Sequence, residues 1–283
     1  MVAEFFGITI FKGGFAMWKW ETDQEAKAVI VIIHGAMEHH GRYGWLIEMW
    51  RSAGYHVVMG DLPGQGMTSR SMRGHIESFE EYLIEVKDWI QAAYQFELPV
   101  FVIGHSMGGL VAVRLLQESH VNLAGVILSS PCLGLMNYPN KSVDLLSYGL
   151  NKVAPSVKFP SGLSINMATR NAEVREIDSN DSLYITKVSV RWYRELINAM
   201  KHAHQELDKM PDYPLLVMQA GDDQIVDKRA VKKWFTELSL SEMHYKEWAK
   251  CYHELYNEPE REEVFEYSKS FIESRLKTLG YIV

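Results

Sequence analysis

The sequence predicts an α/β fold: a mostly parallel central sheet with helices on both faces and a helical insertion at one edge. Three observations carry this. Short β-rich runs recur at 28–33, 56–59, 100–103, 125–128 and 215–218. Stretches of helical period lie between them, the pattern of βαβ units. Over 131–214 such runs stop and give way to helical patterns divided by Pro139, Pro155, Pro160 and Gly162.

Each element has its own reason. The β-rich runs are apolar without alternation, as strands are when helices cover both faces of a parallel sheet. Between them, residues 78–94 repeat Phe79, Tyr82, Leu83, Val86, Trp89 and Ile90 at helical spacing, a core-facing stripe. Residues 1–20 are apolar in patches, but Glu4 stands where a signal peptide carries cations and Gly13-Gly14 interrupts them, so an edge hairpin is expected. The insertion leaves the sheet after residues 128–130 and returns before Leu215, at the carboxyl edge of the strands, where open α/β sheets bind ligands. The expected organisation is a core of residues 1–130 and 214–283 carrying a helical lid at 131–213. In the lid, residues 141–153 place Val143, Leu146, Leu150 and Val153 on one face with Leu145 beside them, which fits either a helix over an apolar tunnel or one packed on the core. Met136, Met167 and Met200 are either an adaptable lining or ordinary gap fillers.

Composition bounds the function. With 283 residues, 47% hydrophobic and 23% charged, the chain can bury a sizeable core. A formal net charge of −7 gives no basic footprint, which argues against nucleic acid and strong docking on anionic lipid, and favours a neutral or weakly polar substrate. Cys132 and Cys251 are too few for a disulfide framework and too far apart for a zinc pair, and read as free thiols in a reducing compartment. No stretch approaches the roughly 18 uncharged apolar residues of a spanning helix. The expected setting is cytoplasmic, at most peripheral to a membrane.

The chemistry begins after the run at 100–103. Gly104-His105-Ser106-Met107-Gly108 is followed by Gly109 and a helical run, which is the GxSxG nucleophile elbow of the α/β-hydrolase fold in its required strand–turn–helix context. Ser106 must sit on a sharp, strained turn, and a side chain at either flanking glycine would clash. A serine hydroxyl needs a base held by an acid, and in this fold the order is Ser, then Asp or Glu, then His. Gly221-Asp222-Asp223-Gln224 follows the run at 215–218 and can hold the acid. His253 is the only histidine after the last strand-like stretch, Met243–Trp248, and is the expected base. The oxyanion of a tetrahedral intermediate needs backbone donors. One is the N–H of Met107, at the start of the helix; the other should come from the turn His34-Gly35-Ala36-Met37-Glu38-His39.

Other patterns fall away. Gly64-Gln65-Gly66 lacks the third glycine of a dinucleotide fingerprint. His253-Glu254 is not a HExxH zinc motif, because Asn257 stands where the second His belongs. His202 and His204 lie on a polar stretch and are expected to be solvated. The expectation is no cofactor and no metal.

At these residues the chain resembles the monoacylglycerol lipase and lysophospholipase group of α/β-hydrolases, especially bacillar phospholipase and lysophospholipase members. The matching residues are His34-Gly35-Ala36, Glu38-His39, Gly41-Arg42-Tyr43, Asp61 through Gly66, Gly104 through Gly109, Gln219, Asp223, and His253-Glu254-Leu255 with Asn257-Glu258-Pro259-Glu260-Arg261. The resemblance implies Ser106 as nucleophile, Asp223 as acid, His253 as base, the amides of Ala36 and Met107 as oxyanion hole, and a helical lid that shapes an acyl tunnel and touches lipid. Two departures stand out: Gln65 where many relatives carry His, and Met37 where Gly is frequent. The expected function is hydrolysis of monoacylglycerol or lysophospholipid esters through an acyl-enzyme on Ser106. A short-chain carboxylesterase and a catalytically silent binding protein on the same scaffold are the alternatives.

Overall fold

The computed structural model describes residues 7–10, 16–68 and 70–281. In chain order its elements are β1 (Gly7–Ile10), β2 (Ala16–Trp20), β3 (Ala28–Ile33), α1 (Gly44–Ser52), β4 (Tyr55–Gly60), α2 (Glu80–Tyr94), β5 (Val100–His105), α3 (Met107–Glu118) and β6 (Gly125–Ser129). There follow α4 (Lys141–Val153), β7 (Lys158–Pro160), α5 (Ile165–Ala168), α6 (Ala172–Ser179), β8 (Lys187–Ser189) and α7 (Val190–Gln205). The chain closes with β9 (Leu215–Ala220), α8 (Lys228–Glu237), β10 (Met243–Trp248) and α9 (Arg261–Thr278). Among the described residues, eight strands form one sheet in the order β1-β2-β4-β3-β5-β6-β9-β10. From β4 to β10 all neighbours run parallel; β1 and β2 form an antiparallel hairpin on the β4 edge. The hairpin expected of residues 1–20 thus appears in its described strands, while residues 1–6 and 11–15 lie outside the described residues.

Pleating explains the unbroken apolar runs. Val29, Val31 and Ile33 enter one core with α2, α3, α7 and α8, while Ala28, Ile30 and Ile32 enter a second with α1 and α9. Every residue of β3, β4, β5, β6 and β9 is buried. A strand sandwiched in this way has no face left for polar residues. β10, with a neighbour on one side only, is half exposed and reads MHYKEW.

Between β6 and β9 the chain builds α4 to α7 and a small antiparallel pair, β7 with β8. Three-residue strands of this kind are too short to register as β-rich runs. α7 packs on α3 and buries Trp192, Leu196, Ala199, Met200 and Ala203. Its Ser189 side chain caps it by accepting the Trp192 N–H at 3.0 Å.

α4 corrects an expectation. Apart from Leu150, which is half-buried, the apolar stripe neither lines the cavity nor packs on the core. Val143, Leu146 and Val153 are exposed, the last at 80%, as is Leu145 at 72%. The face turned to the protein is polar: the buried Arg194 guanidinium bonds Asp144 Oδ1 at 2.7 Å and Ser147 Oγ at 3.3 Å, and stacks 3.5 Å from the Tyr148 ring centroid. The helix is amphipathic with its apolar side outward.

Candidate active site

The loops that carry function leave the carboxyl ends of β3, β5, β9 and β10. Ser106 follows β5 with φ 53° and ψ −118°, a conformation a non-glycine residue adopts only when its surroundings impose it. Here they do. The Ser106 N–H donates to Ser129 O at 2.9 Å, and its own carbonyl accepts from Gly109 and Cys132 at 3.0 and 2.9 Å. The flanking glycines are required by contact. A Cβ on Gly104 would lie 2.7 Å from Gly108 O, and one on Gly108 would lie 2.2 Å from Ile33 O. The elbow therefore packs against the end of β3 with no room for a methyl group.

The three expected side chains converge. His253 Nε2 lies 2.7 Å from Ser106 Oγ, and His253 Nδ1 lies 2.8 Å from Asp223 Oδ2. Asp223 is fixed on all sides: Oδ1 accepts the N–H groups of Ile225 and Val226, each at 2.9 Å, and Oδ2 also accepts Gln219 Nε2 at 3.0 Å. Asp222 is exposed and takes no part. Burial alone would favour the neutral ring of His253, but the adjacent Asp223 carboxylate outweighs it and raises the histidine pKa above 6.5. Conversely, burial disfavours the Asp223 anion, yet His253 and the two backbone donors hold its pKa below the usual carboxylate value. The polarity is that of a neutral base backed by a fixed anion.

The turn after β3 presents Ala36 beside Ser106 and Met107, and all three line one cavity. Ala36 is pinned from both sides, Gly35 N–H by Glu38 Oε1 and Met37 N–H by Gln65 Oε1. Met37 adopts φ 69°, the left-handed region where glycine is at ease, and its carbonyl accepts the Ile185 N–H at 3.0 Å. Gln65 thus supplies a neutral acceptor for the turn. Gly35 is needed for close approach, since a Cβ there would meet Ser106 Cβ at 3.1 Å.

The cavity measures about 310 Å³ and is walled mainly by Leu135, Phe159, Leu163, Trp192, Leu196 and Ile225. Met37 and Met167 also line it; Met136 is exposed, and Met200 is buried behind Cys132 at an S–S separation of 3.8 Å. Burial pushes the Cys132 thiol up to about 12, so it is no rival nucleophile.

Sequence reasoning missed a buried charge cluster behind the site. Arg42 bonds Asp178 through Nε at 2.8 Å, Glu254 through NH1 and NH2 at 3.0 and 2.9 Å, and Glu38 through NH1 at 2.6 Å. One guanidinium thereby ties the β3 turn, the His253 loop and the insertion. Glu38-Arg42 at i,i+4 was the only local signal; the other partners lie 136 and 212 residues away. His204, expected to be solvated, instead reaches Leu133 O at 2.8 Å. Among the described residues, two groupings hold ligand-type atoms close together, His39 with His40 and Asp61, and Cys251 with Glu258 and Glu260. In the first, Asp61 holds His40 at 2.8 Å and Asp181 holds His39 at 2.6 Å; in the second, Arg170 already stands as the cation.

A parallel sheet with a strained serine elbow at its carboxyl edge, a histidine on its hydroxyl and a buried aspartate behind the ring defines a serine hydrolase of the α/β-hydrolase fold. The model of the serine aminopeptidase, S33, family matches residues 24–260, and the chain belongs to that family. It is 59% identical over 256 residues to phospholipase YtpA of Bacillus subtilis (strain 168), covering 90% of this chain and 98% of that one. It is 28% identical to the monoglyceride lipase of Homo sapiens over 267 residues, 92% of this chain and 87% of that one. Among solved structures, the crystal structure of Paleococcus ferrophilus monoacylglycerol lipase superposes with a TM-score of 0.82 at 28% identity, covering 92% of this chain and 99% of that one.

Proposed function

We propose that this protein hydrolyses carboxylic esters of medium or long acyl chains, monoacylglycerols or lysophospholipids, through an acyl-enzyme on Ser106. The observation that carries the reading is the Asp223–His253–Ser106 hydrogen-bonded chain at the floor of an apolar cavity. The names of the relatives, a phospholipase and monoglyceride lipases, support an ester as substrate. In this mechanism Ser106 Oγ attacks the acyl carbon as His253 Nε2 takes its proton, and the N–H groups of Ala36 and Met107 hold the oxyanion. The tetrahedral intermediate collapses, the C–O bond to the head group breaks, and Nε2 protonates the departing alkoxide. Water, deprotonated by His253 Nε2, then attacks the acyl carbon, the bond to Ser106 Oγ breaks as Nε2 returns the proton to Oγ, and the fatty acid is released.

Residues 131–213 serve in this reading as a lid over one core formed by 1–130 and 214–283. Among the described residues no helix is long and apolar enough to cross a membrane. The outward stripe of α4, continued by exposed Tyr138 and Val157, is suited to transient contact with a membrane or micelle surface at the cavity mouth, where Tyr138 and Pro139 stand.

The test is a hydrolysis panel of monoacylglycerols, lysophospholipids and p-nitrophenyl esters below their critical micelle concentrations. Each buried methylene contributes about 0.8 kcal/mol, so kcat/KM should climb with chain length to an optimum at about eight carbons or more. An optimum at about two to four carbons would make the protein a short-chain carboxylesterase with the same triad.

A further inference from the structure

The stretch from Asn257 to Arg261 carries part of the family resemblance, yet the chemistry above gives it no task. Within it, Glu258 is wholly buried, and its carboxylate is saturated. Oε2 accepts the Tyr252 N–H at 2.9 Å and Arg170 Nε at 2.6 Å. Oε1 accepts Thr169 Oγ1 at 2.7 Å and the Arg170 N–H at 2.5 Å. Tyr252 is the residue before His253. On the other side of His253, the Glu254 N–H donates to Ala168 O at 2.8 Å. The backbone on both flanks of the histidine is thus held through residues 168–170 of the insertion.

This arrangement meets a need. His253 sits in an irregular loop, outside helix and strand, so no ladder of main-chain hydrogen bonds fixes it. Asp223 orients the ring but does not fix the backbone from which the ring hangs. A fully buried carboxylate is costly unless every lone pair is used. Here Arg170, itself bound to Glu260, cancels the charge and leaves the second function of Glu258, a rigid acceptor for Tyr252.

We propose that Glu258 is a positioning residue for His253: by bridging the Tyr252 N–H to Thr169 and Arg170, it holds the imidazole in register with Ser106 and makes that register depend on the docked insertion. The inference rests on Ser106 and His253 being the reacting pair. Glu258 touches neither substrate nor reacting atoms, and acts only through the loop. The loss of its anchor therefore impairs proton transfer and leaves the acyl cavity, lined by other residues, as it was.

The experiment compares wild type with Glu258→Gln, which keeps the side chain's shape and removes its charge. It reads the rate at which a fluorophosphonate labels Ser106, together with kcat and KM on a monomeric ester, in samples shown by circular dichroism and a cooperative melt to be folded. Displacements near 1 Å in an active site cost up to about 100-fold. Labelling and kcat should both fall about 10- to 100-fold, with KM within about twofold of wild type. Should Glu258→Gln not fold, Arg170→Gln combined with it replaces the ion pair by a neutral amide pair and is read by the same criteria. A folded variant whose labelling falls by less than about tenfold overturns the role of Glu258. A wild-type protein that does not label at all overturns the hydrolase reading itself.

Discussion

Asp223 Oδ2 stands 2.8 Å from His253 Nδ1, and the aspartate that precedes it in the chain, Asp222, is turned out to solvent. In the proposed mechanism the two adjacent carboxylates therefore have unequal roles. Asp223→Asn should lower kcat by about 10⁴-fold, as a wrongly held tautomer does in other triads, while Asp222→Asn should stay within about tenfold of wild type. Steady-state kinetics of the two variants checks this; a larger loss at Asp222 contradicts the assignment.

With His253 as the base of the proposed mechanism, its raised pKa sets the acid limb of kcat/KM. The base works as the neutral ring, so activity is complete above its pKa and is lost as pH falls through it. The midpoint should lie above 6.5, the value of an unperturbed histidine. Asp223→Asn removes the charge that favours the imidazolium and leaves burial, which favours the neutral ring. The limb of the residual activity should then move to lower pH, and a pH–rate profile that keeps the wild-type midpoint would contradict the pairing.

Arg42→Met leaves Glu38, Asp178 and Glu254 buried with no cation between them. Breaking one side of a buried ion pair costs about 3–5 kcal/mol. The pH dependence has a definite sign. In the wild type, burial disfavours the Glu254 anion, but Arg42 outweighs it and holds the pKa at about 2, below the ordinary 4.5. That contribution is present above pH 4.5 and fades as pH falls toward 2. In Arg42→Met, burial acts on Glu254 unopposed by Arg42 and raises its pKa, so the variant should gain stability relative to wild type as pH is lowered from 7 to 5. Thermal melts at both pH values read this, and an equal deficit at both would contradict it.

How much of this was legible in the sequence depends on the range of the forces involved. The GxSxG pattern around Ser106 is local in the sequence and the order of Asp223 and His253 follows chain topology, so their convergence could be read, whereas the contacts that hold the elbow come from Ser129, Cys132 and Ile33 and could not. Gln219 on Asp223, Arg42 on three carboxylates, and Glu258 on Tyr252 depend on segments brought together by folding, and no spacing announces them. α4 shows a different limit. Hydrophobic period tells which side chains share a face but not which way that face points, and the deciding contact, Arg194 on Asp144 and Ser147, lies on another helix.

The outward stripe of α4 has its own test. Replacing Leu145, Leu146 and Val153 together by Ser removes apolar surface that is already in water, so the fold and the hydrolysis of monomeric esters should be preserved. If each side chain contributes even about 1 kcal/mol at a lipid interface, activity on micellar or vesicle-borne monoacylglycerol should fall by about tenfold or more. Equal rates for wild type and variant on vesicles would remove the lipid contact from the account.

The proposed acyl transfer to Ser106 can be tested directly. When a slowly deacylating long-chain p-nitrophenyl ester is mixed with the enzyme, quenched in acid and digested, mass spectrometry should find the acyl group on the peptide that holds Ser106 and on no other. Ser106→Ala, folded by circular dichroism, should give no adduct and should lose nearly all ester hydrolysis. An acyl group on a different residue, or a Ser106→Ala protein retaining activity within about tenfold of wild type, would contradict the mechanism, because loss of a triad nucleophile costs far more than that.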